Sequence, residues 1–208
     1  MESSDFLIIG AGIIGLSIAR EIKKKYPTSS VYILEKEADV AMHSSGRNSG
    51  VLHAGFYYTA DSLKAKFCRD GNKALKAYCY ENKLRINETG KVVVTKDESE
   101  LAALFELEKR GKNNGVDVTI IDEKQLNEVD PNARTFRHAL LSPTTATVDP
   151  TEVCHAIKNE LESLGVQMRF NEGYYQRIEK NIIKTTKGHV FEAGKIINTA
   201  GLYADKIA

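Results

Sequence analysis

The sequence predicts an α/β fold in which a Rossmann-like sheet domain is interrupted by an inserted α+β region. Near the start, the apolar run at residues 6–9 leads into the turn GAGIIG, a helical pattern and a second apolar run. Near the end, a strand pattern at residues 195–198 leads into a second glycine turn, Thr199-Ala200-Gly201. Residues 87–147 contain short strand and helix patterns without a glycine-rich phosphate loop, which predicts an insertion between the two parts of the sheet domain.

The first glycine turn has the spacing of a dinucleotide site. Gly10 permits a tight strand-to-helix turn, Gly12 lets the backbone approach a pyrophosphate, and Gly15 lets the helix pack close to the sheet. The positive end of the helix dipole then points at the phosphates. Glu35 lies 20 residues after Gly15 and ends the second strand, where its carboxylate would accept hydrogen bonds from ribose hydroxyls and repel a 2′-phosphate. Glycine turns also arise for steric reasons alone, but the strand, helix and acid together favour a dinucleotide site.

Length and composition indicate a globular protein with no electrostatic preference for nucleic acid. The 208 residues are 42% hydrophobic, and 29 Lys and Arg nearly balance 28 Asp and Glu. No apolar run approaches the roughly 18 residues that a membrane span needs, and the chain enters its first strand almost at once, so we predict a cytoplasmic location. The three cysteines have no metal-ligand spacing, which predicts reduced thiols and no metal site.

The segment at residues 44–58, SSGRNSGVLHAGFYY, combines Gly, Ser and Asn with an Arg, a His and several large apolar side chains. It is either a surface loop or a loop that lines a ligand. Val51, Leu52, Phe56, Tyr57 and Tyr58 favour burial, which supports the ligand-lined interpretation.

Helical patterns follow on both sides of the predicted insertion. A helix is expected at residues 61–82, capped by Asp61, and its core-facing stripe comprises Phe67, Gly71, Ala74, Leu75 and Tyr78. Further predicted features are a helix from Asp97 to Asn113 ended by Asn114-Gly115, a helix at Glu123–Val129, a helix with Asp149 as N-cap and Pro150 first, and turns at Lys180-Asn181 and Lys187-Gly188. The last helix would begin near Leu202 and has no stop signal before Ala208, so we expect a C-terminally truncated chain.

Several motifs together resemble one enzyme family. They are GAGIIG with Glu35-Lys36, SSGRNSGVLHAGFYY followed by SLKAKFC, TVDP, and INTAGLYAD. The chain resembles the L-2-hydroxyglutarate dehydrogenase/oxidase branch of the FAD-dependent oxidoreductases related to D-amino-acid oxidase. The resemblance covers the whole chain as the N-terminal portion of such a protein, and residues 48–65 are its most specific part.

The resemblance implies that FAD is the cofactor and that the domains have distinct roles. Residues 1–86 and 148–208 would form the FAD-binding domain, and residues 87–147 would be part of a substrate domain. Gly10, Gly12, Ile14 and Gly15 would lie at the pyrophosphate, Glu35 at the ribose and Lys36 at the adenosine end. The remaining cofactor-binding residues implied by the resemblance are Ser44, Ser45, Arg47, Asn48, Ser49, Thr199 and Gly201.

The implied reaction is oxidation of an L-2-hydroxy acid to a 2-oxo acid, with hydride transfer to the flavin and oxygen or a quinone as electron acceptor. His53 is the candidate catalytic base because imidazole titrates near neutrality; the alternative is a buried histidine that only shapes its loop. Competing interpretations are an FAD-dependent amino-acid or amine oxidase of the same fold, an NAD-dependent dehydrogenase, and an inactive FAD-binding fragment. Peripheral membrane contact is compatible with the sequence.

Overall fold

The computed structural model describes residues 1–208, and the chain divides into two compact units. The first unit comprises residues 1–48 and 150–208, and the second comprises residues 49–149. The assignment of residues 1–86 and 148–208 to a cofactor domain and of residues 87–147 to a substrate domain stays a prediction.

Twelve strands and five α-helices make up the two units. The strands are β1 (Glu2–Ile9), β2 (Val31–Leu34), β3 (Val51–Leu52), β4 (Ile86–Asn87), β5 (Lys91–Val94), β6 (Thr119–Asp122), β7 (His138–Ser142), β8 (Ala146–Val148), β9 (Gln167–Arg169), β10 (Tyr174–Glu179), β11 (Ile182–Thr185) and β12 (Val190–Asn198). The helices are α1 (Ile13–Lys25), α2 (Leu63–Glu81), α3 (Leu101–Asn113), α4 (Glu123–Val129) and α5 (Pro150–Ser163), and 3-10 helices lie at Glu98–Glu100 and Gly201–Lys206.

The first unit is built on a six-stranded sheet in the order β10-β11-β12-β1-β2-β9. The strands β12, β1, β2 and β9 are parallel, and β10, β11 and β12 form an antiparallel meander. Leu7 and Ile8 of β1 are fully buried because β1 lies in the middle of this sheet. The chain leaves β1 towards β2 on one side and returns through β12 on the other, so a topological switch point lies at the carboxyl ends of β1 and β12.

The second unit contains two three-stranded antiparallel sheets, β5-β7-β6 and β3-β8-β4. Its main core joins the β5-β7-β6 sheet to α3 and to the loop that follows β3. The buried members of this core are Ala54, Phe56, Leu104, Val116, Val118 and Leu140. Burial in this core therefore explains part of the apolar character of residues 44–58, since Phe56 is only 1% exposed.

Most predicted elements form where the sequence places them. The α4 helix spans the predicted residues, Pro150 is the first residue of α5, and Gly115 and Gly188 adopt the left-handed conformation with φ of 66° and 86°. The helix predicted after Thr199-Ala200-Gly201 is a 3-10 helix, Gly201–Lys206. The short strand β8 has no counterpart among the predicted elements.

Two details of the predicted α2 helix are wrong. Its N-cap is Ser62, whose Oγ accepts a hydrogen bond from the Ala65 N–H at 3.2 Å; Asp61 has φ of 61° and lies outside the extended region that an N-cap residue adopts. The predicted core-facing stripe is only partly buried: Tyr78 is 5% exposed, as predicted, whereas Phe67 is 65% exposed. Gly71 and Ala74 are also exposed. The buried face instead includes the polar Asn72, because its side chain finds hydrogen-bond acceptors inside the unit.

None of the helices combines the length with the apolar composition that a membrane span requires. The predicted cytoplasmic location stays a prediction.

Candidate cofactor site

The glycine turn after β1 is closely packed at two of its glycines. A Cβ on Gly15 would lie 2.0 Å from the Gly10 carbonyl oxygen and 2.8 Å from Thr199 Oγ1. Gly10 has φ of 110°, and a Cβ there would lie 2.6 Å from the Thr199 carbonyl oxygen. Both positions require glycine for packing reasons: Gly15 brings α1 against the turn, and Gly10 brings the turn against the end of β12.

Gly12 differs from these two glycines because the space beside it is open. A Cβ on Gly12 would meet only Ser45 Oγ, at 3.0 Å. The backbone N–H groups of Gly12 and Ile14 form no hydrogen bond within the protein, and the Ile14 side chain is 61% exposed. Unpaired N–H groups at the start of a helix form an anion-binding site. A pyrophosphate therefore fits the open side of this turn.

Glu35 is held at the same turn by two backbone donors. Its Oε2 accepts a hydrogen bond from the Ala11 N–H at 2.7 Å, and its Oε1 accepts one from the Glu37 N–H at 2.9 Å. A carboxylate has about four lone-pair positions, so each oxygen can accept a further hydrogen bond from a ribose hydroxyl. The predicted proximity of Glu35 to the glycine turn is thus present in the structure.

The predicted residues after Ala41 surround the start of α1. Ser45 Oγ accepts a hydrogen bond from the Ile13 N–H at 2.9 Å and so caps the helix, whose N-cap residue Gly12 has no side chain. Asn48 Nδ2 donates to the Ser44 and Ser45 carbonyl oxygens at 3.1 and 2.8 Å. The side chains of Ser44, Arg47 and Asn48 are exposed. The structure therefore brings Ser45 into the glycine turn and leaves its neighbours accessible to a ligand.

Thr199 connects the second glycine turn to the first by hydrogen bonds. Its N–H donates to the Ile9 carbonyl oxygen at 2.9 Å, and its Oγ1 lies 2.9 and 3.1 Å from the carbonyl oxygens of Ile9 and Gly10. Gly201 adopts the left-handed conformation with φ of 56°, and nothing lies within 4 Å of a Cβ built on it. Thr199 therefore has a structural role in this unit, while Gly201 leaves open space.

A small charged cluster follows Glu35. The Lys36 ammonium pairs with Glu37 Oε1 at 3.0 Å, which raises the pKa of Lys36, and it lies 4.1 Å from the centre of the Tyr203 ring. His43 Nε2 contacts the same Glu37 oxygen at 2.8 Å and meets the Tyr203 ring edge-on. The sequence did not identify Tyr203 as part of this cluster, because it lies more than 150 residues further along the chain and meets Lys36 and His43 only in the folded unit. No role was assigned to His43 from the sequence, since its contact with Glu37 depends on the path of the loop between them.

His53 and Ser49 belong to the second unit, and both are exposed. His53 follows β3, and its pKa is lowered first by partial burial of the imidazole, which disfavours the charged form, and second by the positive charge of Lys91. A lowered pKa favours the neutral imidazole, which is the form that accepts a proton. The other predicted site residues lie in the first unit: Gly10, Gly12, Ile14, Gly15, Glu35, Lys36, Ser44, Ser45, Arg47, Asn48, Thr199 and Gly201.

Two buried asparagines hold the His53 loop, and sequence reasoning missed both. Asn114 is 5% exposed, and its Nδ2 donates to the carbonyl oxygens of Gly55 and Tyr58 at 3.1 and 3.0 Å. Asn72 is 6% exposed and donates to the Leu52 carbonyl oxygen at 2.8 Å. The only available sequence signal was an asparagine placed within, or at the end of, an apolar helix pattern. Together they fix the backbone on both sides of His53.

Comparison with curated proteins gives relatives that share one name. The chain is 37% identical over 206 residues to the L-2-hydroxyglutarate dehydrogenase of Escherichia coli O17:K52:H18, covering 98% of this chain and 49% of the relative. It is 33% identical over 222 residues to the mitochondrial L-2-hydroxyglutarate dehydrogenase of Homo sapiens, covering 100% and 48%. The chain thus spans about half the length of the curated relatives it matches.

Solved structures of similar fold include two oxidases. The glycine oxidase of Geobacillus kaustophilus matches with a TM-score of 0.88 at 20% identity, over 100% of this chain and 58% of that one. The L-alpha-glycerophosphate oxidase of Mycoplasma pneumoniae, solved with FAD bound, matches with a TM-score of 0.87 at 24% identity, over 99% and 56%. At these identities the likeness shows the fold alone, and it confirms the predicted α/β class.

A profile of the family described as "FAD dependent oxidoreductase" matches residues 5–208, which is almost the whole chain. The match agrees with the fold, with the dinucleotide geometry of the glycine turn and with the relatives' names, and it confirms the resemblance predicted from the motifs. The chain belongs to the DAO family of FAD-dependent oxidoreductases.

Proposed function

We propose that this chain carries the N-terminal portion of an enzyme that oxidises L-2-hydroxyglutarate to 2-oxoglutarate with FAD as cofactor. The observation that supports this substrate is the 36–37% identity, over 98% of the chain, to bacterial proteins named L-2-hydroxyglutarate dehydrogenase. Residues 1–86 and 148–208 would bind FAD, and residues 87–147 would contribute to the substrate domain.

The first unit supplies the contacts for the cofactor. The open amides of Gly12 and Ile14 would bind the pyrophosphate, Glu35 would accept the ribose hydroxyls, and Lys36 would lie at the adenosine end. Gly10, Gly15 and Thr199 would act by keeping the two turns packed together. The residues assigned to the rest of the cofactor are Ser44, Ser45, Arg47, Asn48, Ser49 and Gly201.

When bound, FAD supplies the hydride acceptor that no amino-acid side chain can provide. In the proposed reaction His53 takes the proton of the C2 hydroxyl, while the hydrogen on C2 leaves with its electron pair and a C=O bond forms. The neutral state of His53, favoured by its lowered pKa, suits this role. Oxygen or a quinone would then serve as the final electron acceptor.

The test uses a longer form of the protein that spans the full length of the relatives. After purification, its flavin spectrum is recorded without oxygen while L-2-hydroxyglutarate, D-2-hydroxyglutarate, glycine or L-proline is added. We expect only L-2-hydroxyglutarate to bleach the oxidised flavin and to yield 2-oxoglutarate. Bleaching by an amino acid, with no response to the hydroxy acid, would assign the protein to the amine-oxidising members of the fold. A protein without flavin colour would contradict the cofactor assignment.

A further inference from the structure

Lys91 is a partly buried cation in the second unit that forms no ion pair. It begins β5, and its Nζ lies 4.7 Å from the centre of the Tyr57 ring. Partly buried lysines are usually paired or extend their ammonium into water. An unpaired ammonium held against an aromatic ring is free to attract an anion.

The backbone of Lys91 is firmly placed. Lys91 is in register with Ser142, which is fully buried and whose Oγ contacts Thr145 Oγ1 at 3.1 Å. Gly90, just before it, has φ of 73° and packs against the Ser142 carbonyl oxygen. The ammonium therefore extends from a rigid strand end rather than from a mobile loop.

The ring beneath Lys91 belongs to the loop that carries His53. The centre of the Tyr57 ring lies 4.2 Å from that of Phe56, with the ring planes tilted by 31°. Phe56 is buried in the core of the unit together with Ala54. The positive charge of Lys91 also lowers the pKa of His53, so the two groups interact through space. The ammonium of Lys91 thus lies against the loop that carries the His53 imidazole.

We propose that Lys91 is a substrate-recognition residue whose ammonium pairs with a carboxylate of the 2-hydroxy acid while His53 removes the hydroxyl proton. This inference rests on the proposed function and deepens it by naming the group that recognises the acid. A dicarboxylate carries two negative charges, and a charge-assisted hydrogen bond to an ammonium is one of the stronger single contacts available. Neutralising Lys91 in this way also removes its effect on His53, so the pKa of His53 rises when the carboxylate binds.

Lys64 offers a matched control on the neighbouring tyrosine. Its Nζ lies 4.5 Å from the centre of the Tyr58 ring, which is nearly the distance from Lys91 to Tyr57. Lys64 lies on the exposed face of α2 and is not among the groups that shift the pKa of His53. If the effect of Lys91→Gln on substrate binding came only from the loss of a cation–ring contact, Lys64→Gln would have an effect of the same size.

The kinetic test compares Lys91→Gln, Lys91→Arg and Lys64→Gln in the longer, flavin-loaded form. For Lys91→Gln we expect KM for L-2-hydroxyglutarate to rise by about 10- to 100-fold with kcat nearly unchanged. Lys91→Arg should recover part of this loss because it keeps the charge, and Lys64→Gln should match the wild type. Unchanged KM in Lys91→Gln would overturn the inference and leave the proposed function standing.

A second measurement does not depend on turnover. The His53 imidazole is titrated by NMR with and without glutarate, a dicarboxylate that cannot be oxidised at C2. Glutarate should raise the pKa of His53 in the wild type and in Lys64→Gln, and should have no effect in Lys91→Gln. If this pattern is found in a protein that does not oxidise L-2-hydroxyglutarate, the carboxylate site stands and the proposed reaction fails. If glutarate shifts His53 equally in all variants, or in none, Lys91 does not bind the carboxylate.

Discussion

Three glycine-to-alanine substitutions separate packing from cofactor binding at the first turn. Gly15→Ala places a Cβ 2.0 Å from the Gly10 carbonyl oxygen, whereas Gly12→Ala places one 3.0 Å from Ser45 Oγ. Gly71, in the middle of α2, has nothing within 4 Å of the added atom. The same chemical change is thus made against rigid backbone, against a flexible side chain and in open space.

The magnitudes follow from what each Cβ meets. In Gly15→Ala, α1 or the turn must move by more than 1 Å to restore an ordinary contact of about 3.4 Å, at a cost of about 3 kcal/mol. For a chain of this length such a loss lowers Tm by about 6–12 °C. Gly12 has an ordinary φ of −77°, so Gly12→Ala should cost about 1 kcal/mol or less. Gly71→Ala should stabilise α2 by about 0.5–1 kcal/mol.

Thermal unfolding and FAD titration together check this reasoning. We expect Gly12→Ala to unfold close to the wild type yet bind FAD at least about tenfold more weakly, since its Cβ occupies the space left for the pyrophosphate. Gly15→Ala should unfold at a clearly lower temperature than the wild type. Gly71→Ala should bind FAD as the wild type does. Equal Tm for Gly15→Ala and the wild type, or full FAD affinity in Gly12→Ala, would refute the argument.

The remaining predictions concern Glu35, Asn114 and His53. Glu35→Ala should weaken FAD binding by about 1.5–3 kcal/mol, and unchanged affinity in an FAD titration would remove it from the ribose site. Asn114→Ala leaves the carbonyl oxygens of Gly55 and Tyr58 without their donor and should cost about 1–3 kcal/mol of unfolding free energy, measured by denaturant unfolding. His53→Ala should reduce turnover by about 10²- to 10⁴-fold with flavin retained. In the wild type, kcat/KM should fall as pH drops through a value below the ordinary 6.5 of histidine, since protonation removes the base; an inflection above 6.5 would assign it to another group.

Local signals in the sequence predicted the elements whose ends depend on nearby residues. The α4 helix ends before Asp130-Pro131 and α5 begins at Pro150, as predicted. Gly115 follows the end of α3 and Gly188 lies in the turn between β11 and β12, and both are left-handed. Such features need only the preference of one residue and a hydrogen bond a few positions away.

The second unit shows why other features could not be predicted. Asn114 was interpreted only as a helix stop, and its side chain in fact reaches residues 56 and 59 positions earlier in the chain. No sequence pattern identified Lys91 as a candidate binding residue, because that role depends on the Tyr57 ring lying beneath its ammonium in the folded unit. The face of α2 was misjudged for the same reason: apolar spacing identifies Phe67, but burial of Asn72 depends on acceptors supplied by distant loops.

Glu35 has one role that the sequence predicted and one that only the folded structure shows. Both roles affect how a substitution of Glu35 should be interpreted. Its spacing from Gly15 predicted a ribose ligand, whereas its hydrogen bonds to the N–H groups of Ala11 and Glu37 became visible only in the folded unit. The two roles are compatible because each carboxylate oxygen has a second lone pair. Removing the side chain therefore also frees two backbone donors at the turn, and part of any lost FAD affinity comes from a looser turn. Unfolding of the protein without FAD tests for a looser turn: if Glu35→Ala leaves the free energy of unfolding unchanged, the loss of FAD affinity is assigned to the contact with the ribose.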